Sequence, residues 1–577
     1  MTASGLVAES AATFALAGAP VAVRITPCRP GIVRIRLGEP DGGSSYLEPC
    51  EWPPLPLATG NPLPQAIDTG AIVVAFVADP PALELRDRAG RPRLRLALDA
   101  VELQPRLRLR LALPGEQHLY GLGQCGLPFD RLGAARRLWN CHVDHSPGAA
   151  DIAIPLLLSQ LGHGLFFDHA GSARLGPGDA LDTASLDYAC DAPALDLYYL
   201  GGEDLRAVLG EAATLLGRAP LPPRWALGYL QSTRHFVDTD ELRRLAATLR
   251  DKQLPCDALV LLSSYSDALG WNRGVGHLDW QQALVPRPRE LLAELHSRNF
   301  RIVTHEYPVL HPDSPLAVEA RDRGTLLDET YPRVAPTERP STNYHEGQRY
   351  LDFARPEVGD WWWEQHRPLH DDGVDGWWLD GGDGPASDPT NHNRYDLRRQ
   401  QAFADGEARD RPERRPFLLC RSGGPGMQRF GAACWSGDVN ASFAALEAQI
   451  GLGLNVGLSG VPYWGTDIGG FYPGPASGAE LFARWFQFGA FCPIFRAHGR
   501  AWRNHLPWAH GAAVEAICRR YLELRQSLMP YTYSLAWQAH GLGLPLMRPL
   551  VLNYPDDQRT WTWAASISGA TTSWSRR

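Results

Sequence analysis

The feature that most constrains the fold is a succession of eight short apolar runs between residues 222 and 543, spaced by helix-like sequence. The runs are WALGYLQS, DALVLLSS, FRIVTHE, VDGWWLD, PFLLCRS, AACWSGD, NVGLSGVPYW and a last one within FGAFCPIFR. Between several of them lie amphipathic stretches such as TDELRRLAATLRDKQ and PRELLAELHSRN, whose apolar residues recur at intervals of three and four. Strand-like and helix-like segments in alternation predict an α/β fold, a (β/α)8 TIM barrel over 222–543. A doubly wound parallel sheet shows the same alternation, and spacing alone leaves both open. In a barrel the reactive face lies at the C-terminal ends of the strands. Those ends read Gln231-Ser232, Ser263-Ser264, His305-Glu306, Asp380, Arg421-Ser422, Asp438, Asp467, and Arg496 with His498, so polar groups gather at one end.

Residues 1–221 have a different texture. Short stretches that alternate apolar and polar residues, such as VAVRIT, GIVRIRLG, AIVVAFVA and ALELRDRAGRPRLRLALD, are separated by Gly, Pro and Asp. Period-two alternation with frequent turn residues predicts an antiparallel β-sandwich. An amphipathic helix and a Pro-rich link at 220–223 then mark the passage to the barrel.

Composition narrows the partners. Of 577 residues, 44% are hydrophobic and 21% charged, which is enough apolar sequence for large cores and excludes global disorder. The net charge of −8 comes without any Lys/Arg-rich block, so neither nucleic acid nor an anionic membrane is an expected partner. Lys252 is the only lysine, a bias that fits GC-rich coding better than a functional demand. The ten cysteines are scattered without CxxC or Cys/His ligand spacing, so neither a zinc site nor a disulfide framework is expected. Gly381-Gly382 and Gly423-Gly424 complete no phosphate or dinucleotide pattern, and no cofactor or metal is expected. The N-terminus lacks a basic start before an apolar core, and no apolar run reaches 18 residues, which predicts a soluble cytoplasmic protein. Assembly into a homo-oligomer is left open.

Two carboxylates stand out: Asp380 in DGWWLDGGDGP and Asp438 in CWSGDVN. Each follows an aromatic strand and precedes small residues, which would leave a carboxylate on a cleft floor with little steric cover. Glycoside cleavage needs such a pair, one group to attack or stabilise an oxocarbenium-like centre and one to protonate the leaving oxygen. An Asp ending a strand is also a common helix N-cap, and for either residue alone that reading has equal weight. The 19 Trp residues cluster in part with Asp and Gly, where flat rings suit sugar faces as well as a core.

VDGWWLDGGDG, RSGGPGMQRFGAACWSGD, GVPYWGTDIGGF and RWFQFGAFCPIFRAHG, in this order, resemble the signatures of glycoside hydrolase family 31, the retaining α-glucosidase and α-xylosidase family. The resemblance is close over residues 222 to about 560 and looser over the whole chain. It implies that Asp380 is the catalytic nucleophile and Asp438 the general acid/base. It further implies that Arg421 binds the sugar on the nucleophile side, that Asp467, Arg496 and His498 contact sugar, and that Trp378 and Trp435 line the pocket. In the retaining mechanism the carboxyl groups lie about 5 to 5.5 Å apart, the nucleophile forms a glycosyl ester, and the other group starts protonated.

Departures from the family pattern bear on the sugar. The second strand ends Ser263-Ser264-Tyr265-Ser266 where the family has an Asp-rich segment, and His305-Glu306-Tyr307 follows the third strand where glucosidases have an Asp. Asp383 stands where many members have Glu. Losing a hydrogen-bonded hydroxyl contact shifts selectivity strongly, which brings α-xyloside or α-galactoside into play beside α-glucoside. Asp267, Asn272 or Glu306 could supply the same contact, and Glu306 is carried as a substrate-binding candidate. The loops GWNRGVGHLDWQ and TNYHEGQRYLD could wall the pocket, with His277 and His345 read as ordinary hydrogen-bonded loop residues.

The stretch GLPLMRPLVLNYPDDQRTW resembles the entry to the family's C-terminal β-domain, predicting the start of a truncated β-domain over 544–577. Small residues, Ser and Thr then replace the apolar alternation in WAASISGATTSWSRR, and a frame shift over 564–577 is the expectation drawn from that change. The expected function is a retaining α-glycoside hydrolase. A noncatalytic carbohydrate-binding pseudoenzyme or inactive product, and an α-transglycosylase or α-glucan lyase using the same site, are its rivals.

Overall fold

The computed structural model describes residues 5–8, 13–17, 19–39, 45–48, 52–53, 55, 66–104, 106–142, 150–178, 184–234, 236–262, 276–331, 348–385, 389–563, 567–568 and 573–574. Two antiparallel sheets precede residue 202. The first runs in space Gly5–Ala8, Phe14–Ala17, Val23–Arg29, Ile32–Leu37, Leu195–Gly201, His163–Asp168, Ala150–Ser159, Leu119–Gln124, with Cys141–His142 also paired to Ala150–Ser159. The second runs Arg136–Leu138, Ala173–Pro177, Ser185–Cys190, Leu107–Ala112, Pro92–Ala97, Pro81–Asp87, Ile72–Ala78, Ala66–Asp68. In Leu107–Ala112 the three leucines are buried and Arg108 and Arg110 exposed, which is the period-two pattern of a sheet with one wet face. Ile35, Leu85, Leu96, Leu111, Phe167 and Leu197 meet in the core between the sheets.

The first sheet loses that alternation: every residue of Leu195–Gly201 and of Leu119–Gln124 is buried. The barrel covers its outer face, and Tyr120, Ile154, Leu156, Phe166 and Tyr198 share one core with barrel residues. Backbone groups also cross over. Gly121 N donates to Asn455 Oδ1 at 2.8 Å, Gly123 N to Ser459 Oγ at 2.7 Å, and Asn140 Nδ2 to the Gly423 carbonyl at 2.7 Å.

Helix Leu205–Leu216, capped by the Asp204 side chain, and residues 217–223 lead into eight parallel strands. In chain order these are Tyr229–Thr233, Ala258–Leu261, Arg301–Glu306, Gly376–Leu379, Leu418–Cys420, Ala432–Trp435, Trp464–Gly465 and Phe495–Ala497, and the first seven pair each with the next. The ring closes where Ile494 N donates to the Trp464 carbonyl (3.0 Å) and Phe495–Ala497 pairs with Tyr229–Thr233. All eight apolar runs contain a barrel strand, and the closed ring separates the barrel from the doubly wound alternative.

The helices between them form as their sequences dictate. Thr239–Asp251 starts at Asp238, whose Oδ1 accepts from Glu241 N (2.8 Å), and buries Leu242, Leu245, Ala246 and Leu249 on one stripe. After the third strand, Val309–Leu310, Gln348–Leu351 and Leu326–Tyr331 form a small antiparallel sheet beside the barrel mouth.

Residues 544–563, expected to open a β-domain, hold no strand: they form the short helix Leu550–Asn553 and a 3-10 turn at Gln558–Thr560. They pack on the sandwich, where the Tyr120 hydroxyl donates to the Trp561 carbonyl at 2.8 Å. Of 564–577 only the paired dipeptides Ile567–Ser568 and Ser573–Trp574 are described, so the frame-shift expectation falls largely outside the described residues.

Candidate active site

Strand parity decides which side chains meet at the barrel mouth. In GWWL the two tryptophans point opposite ways. Trp377 faces the helix layer, where its Nε1 donates to Glu407 Oε1 at 2.8 Å. Trp378 faces inward, edge-on to Trp435 (5.7 Å), His498 (4.9 Å) and His305 (5.1 Å). The Arg496 guanidinium lies over both rings, 4.6 Å from Trp378 and 5.1 Å from Trp435. Both indole rings attract this charge without neutralising it.

Asp380 follows strand Gly376–Leu379 directly, and both of its oxygens are held. Oδ1 accepts from Gly381 N (2.8 Å) and stands 3.1 Å from Arg421 Nη1; Oδ2 lies 3.1 Å from His305 Nε2. Burial alone would raise this carboxyl, but Arg421, the His305 hydrogen bond and the Gly381 amide overcome it and hold Asp380 far below the usual range. An ionised carboxylate only accepts, so His305 Nε2 is the donor. Burial, with the Arg421 and Arg399 charges nearby, keeps that imidazole neutral by lowering its pKa. Arg421 also reaches Asp383 Oδ2 at 2.9 Å, clamping two carboxylates with one planar fork.

Asp438 stands three residues beyond strand Ala432–Trp435, after Gly437 at φ 81°. The chain after it is pinned, since Phe471 N and Tyr472 N both donate to the Val439 carbonyl (2.8 and 3.1 Å). Its side chain is half-buried. The charges of Asp380 and Asp438 both act on Arg234, Asp467 and Arg496, so the two carboxyl groups share these neighbours. Asp467 is fully buried in close contact with Arg496 Nη2. Burial, with the charges of Asp438 and Asp380, pushes Asp467 up to about 8 against the pull of Arg496. His498 is buried beside Trp378, and burial with the charges of Arg496 and Arg234 keeps it neutral.

The structure therefore brings together Asp380, Asp438, Trp378, Arg421, Trp435, Asp467, Arg496 and His498. It does not bring Glu306 with them. Glu306 alternates with His305 on strand Arg301–Glu306 and points into the helix layer, accepting from Trp362 Nε1 (2.8 Å) and pairing with Arg399 (3.3 Å) at zero exposure. Its expected contact with substrate is corrected on that ground. His305 is the residue that was missed. In the register of the parallel pair it sits beside Trp378, and Glu306 beside Leu379, so strand parity carried the signal. Arg234 and Asp383 are further members not chosen from sequence. Ser263, Ser264, Asp267, Asn272 and His345 lie outside the described residues, and His277 is half-buried. Among the described residues no cluster of His, Cys, Asp and Glu could hold a metal, and no helix is long and apolar enough to cross a membrane.

Comparison with known proteins matches this architecture. The family model for the glycosyl hydrolase family 31 TIM-barrel domain matches residues 219–535, and that for the family's N-terminal galactose mutarotase-like domain matches 22–174. An alpha-xylosidase of Saccharolobus solfataricus is 30% identical over 438 residues, 71% of this chain and 55% of its own. Alpha-glucosidase 2 of Bacillus thermoamyloliquefaciens is 31% identical over 485 residues, 77% of this chain and 58% of its own. The chain thus spans between half and three-fifths of the length of these curated relatives. Among solved structures, a Flavobacterium johnsoniae family 31 dextranase superposes with a TM-score of 0.86 at 24% identity, covering 99% of this chain and 73% of the other. A family 31 alpha-xylosidase from a soil metagenome gives 0.84 at 24% identity, covering 98% and 90%. Sandwich, closed barrel and the ordered motifs at its mouth agree with the match, and the chain belongs to glycoside hydrolase family 31.

Proposed function

We propose that the chain hydrolyses terminal α-linked sugars with retention, α-glucosides or α-xylosides being the classes named for its relatives. The observation that carries this reading is the contrast between the two carboxyl groups. Asp380 is buried and fixed as an anion by donors on both oxygens, while Asp438 is half-buried on the loop after the sixth barrel strand, two strands further round the ring.

In the first step a carboxylate oxygen of Asp380 attacks the anomeric carbon, and the bond to the leaving oxygen breaks as Asp438 delivers a proton to it. In the second, Asp438 takes a proton from water as that water attacks the anomeric carbon. The ester bond breaks, Asp380 leaves as a carboxylate, and two inversions restore the α configuration. Arg421, His305 and the Gly381 amide keep Asp380 charged and oriented between steps. Neutral His498, with Arg496 over the two tryptophans, supplies directional contacts for sugar hydroxyls.

A panel of p-nitrophenyl α-glycosides tests this. The parent chain is expected to release p-nitrophenol, and the initial sugar product is expected to be the α-anomer by NMR. Asp380→Gly should be inert alone and, with azide, should yield the β-glycosyl azide. Full turnover by Asp380→Asn, or an initial β-anomer from the parent, would sink the assignment.

A further inference from the structure

The turn that carries Asp380 is unusual. Gly381, Gly382, Asp383 and Gly384 have φ of 66°, 93°, 59° and 74°, four consecutive residues in the left-handed region. The three glycines take that region at no steric cost, whereas Asp383 takes it at a cost that its surroundings must offset. A Cβ on Gly382 would come within 2.2 Å of Asp396 Oδ1, so the turn is also packed tightly from behind.

What lies behind is a buried ionic cluster. Arg399, on helix Tyr395–Asp410, has no exposed side-chain surface. Its Nη1 donates to the Asp380 carbonyl at 2.8 Å and to Glu306 Oε2 at 3.3 Å, and its Nη2 donates to the Gly381 carbonyl at 3.3 Å. Nη2 also lies 2.8 Å from Asp396 Oδ1. Two successive carbonyls thus converge on one guanidinium, whose counter-charges come from the third barrel strand and from one turn earlier on its own helix. On the opposite side of the turn the Gly381 amide and Arg421 meet the Asp380 carboxylate. A guanidinium fork is rigid, so it fixes both carbonyls in one plane and with them the direction of that amide.

We propose that Arg399, held by Glu306 and Asp396, is a positioning residue for the nucleophile. It fixes the left-handed turn so that the Gly381 amide and the Asp380 carboxylate keep their attacking geometry. The inference rests on the glycosidase reading given above, and its test is arranged to separate the two. Parent turnover against Asp380→Asn decides the reading. Arg399→Met, which keeps the stem and removes the donors, decides the inference. Misplacing a reacting group by about 1 Å costs about 100-fold in rate. The expected result for Arg399→Met is therefore a kcat lower by about 100-fold, with KM and the affinity for a neutral monosaccharide little changed. Arg399→Lys, which can still donate to one carbonyl, should recover part of that loss. Because emptying a buried charge cluster threatens folding, Glu306→Gln/Arg399→Met is made in parallel, and rates are normalised to folded protein by circular dichroism. A crystal structure of either variant gives a readout independent of turnover: the 381–384 turn should have moved away from its left-handed run. An unchanged kcat per folded molecule, or equal falls in Arg399→Lys and Arg399→Met with the turn unmoved, would overturn the inference.

Discussion

Arg421 holds Asp380 from the side of the fifth barrel strand, its Nη1 3.1 Å from the carboxylate while Nη2 grips Asp383 at 2.9 Å. One planar cation therefore ties the proposed nucleophile to the third residue beyond it, across the left-handed turn. A lysine offers one nitrogen in place of this planar pair of donors. Arg421→Lys is expected to lower kcat/KM by about 100-fold, equivalent to about 2.7 kcal/mol of transition-state stabilisation. Steady-state kinetics on an aryl α-glycoside checks this, and a loss under tenfold would count against the clamp.

His305 gives a pH prediction. It donates to the ionised form of Asp380, so removing it takes away support for the anion and raises that carboxyl's pKa. The charged neighbours Arg421, Arg399, Arg234, Arg496, Glu306, Asp383, Asp438 and Asp467 stay in place. The acidic limb of kcat/KM should move to higher pH in His305→Leu and less in His305→Gln, which retains a donor. Superimposable limbs for parent and His305→Leu would exclude this role.

The adjacent tryptophans should separate stability from chemistry. Trp377→Phe leaves buried Glu407 short of a donor and should cost about 2 kcal/mol of folding stability. It should leave kcat/KM of the folded enzyme almost unaltered. Trp378→Phe shrinks the indole that Arg496 lies over and that His498 meets edge-on, and its effect should fall on KM and kcat. Urea unfolding and kinetics on the same preparations distinguish them.

Buried imidazoles set an acid limit. Burial lowers His163 to about 3, His366 to about 3 and His169 to about 4. The unfolded chain takes up these protons near pH 6.5 and the folded chain does not, so stability rises with pH across this interval. It should be whole above about pH 6.5 and be lost progressively as pH falls towards about 3 to 4. His366→Gln should flatten the dependence of the urea midpoint on pH over that window, and an equally steep dependence would contradict the assignment.

Asn140 joins sandwich to barrel. It donates to the Gly423 carbonyl (2.7 Å), its Oδ1 accepts from Ala153 N (2.8 Å), and its own N donates to Asn393 Oδ1 (2.8 Å). Asn140→Ala strands two buried backbone groups and should destabilise the chain by about 3 kcal/mol. Calorimetry should show one lowered transition covering both parts, because they share a core.

Eight strand positions, the helical stripes between them and the order of the motifs are properties of local sequence. Period-two and period-three-to-four patterns are written residue by residue, so TDELRRLAATLRDKQ folds as its leucines require. The alternation of the sandwich was equally legible in Leu107–Ala112, and disappeared in Leu195–Gly201 because the barrel covers a face that sequence cannot see covered. Asp380, Asp438, Arg421, Asp467, Arg496 and His498 were placed by motif. Glu306 and His305 are both polar and adjacent at the strand end, and only the register against Trp378 assigns His305 to the mouth and Glu306 to the helix layer. The sequence by itself thus determined which residue types stand at the strand ends and in what order. Only the tertiary structure decided which of them face each other, because a carboxylate becomes an anion or an acid through neighbours such as Arg421 and His305, 41 and 75 residues away from Asp380 along the chain.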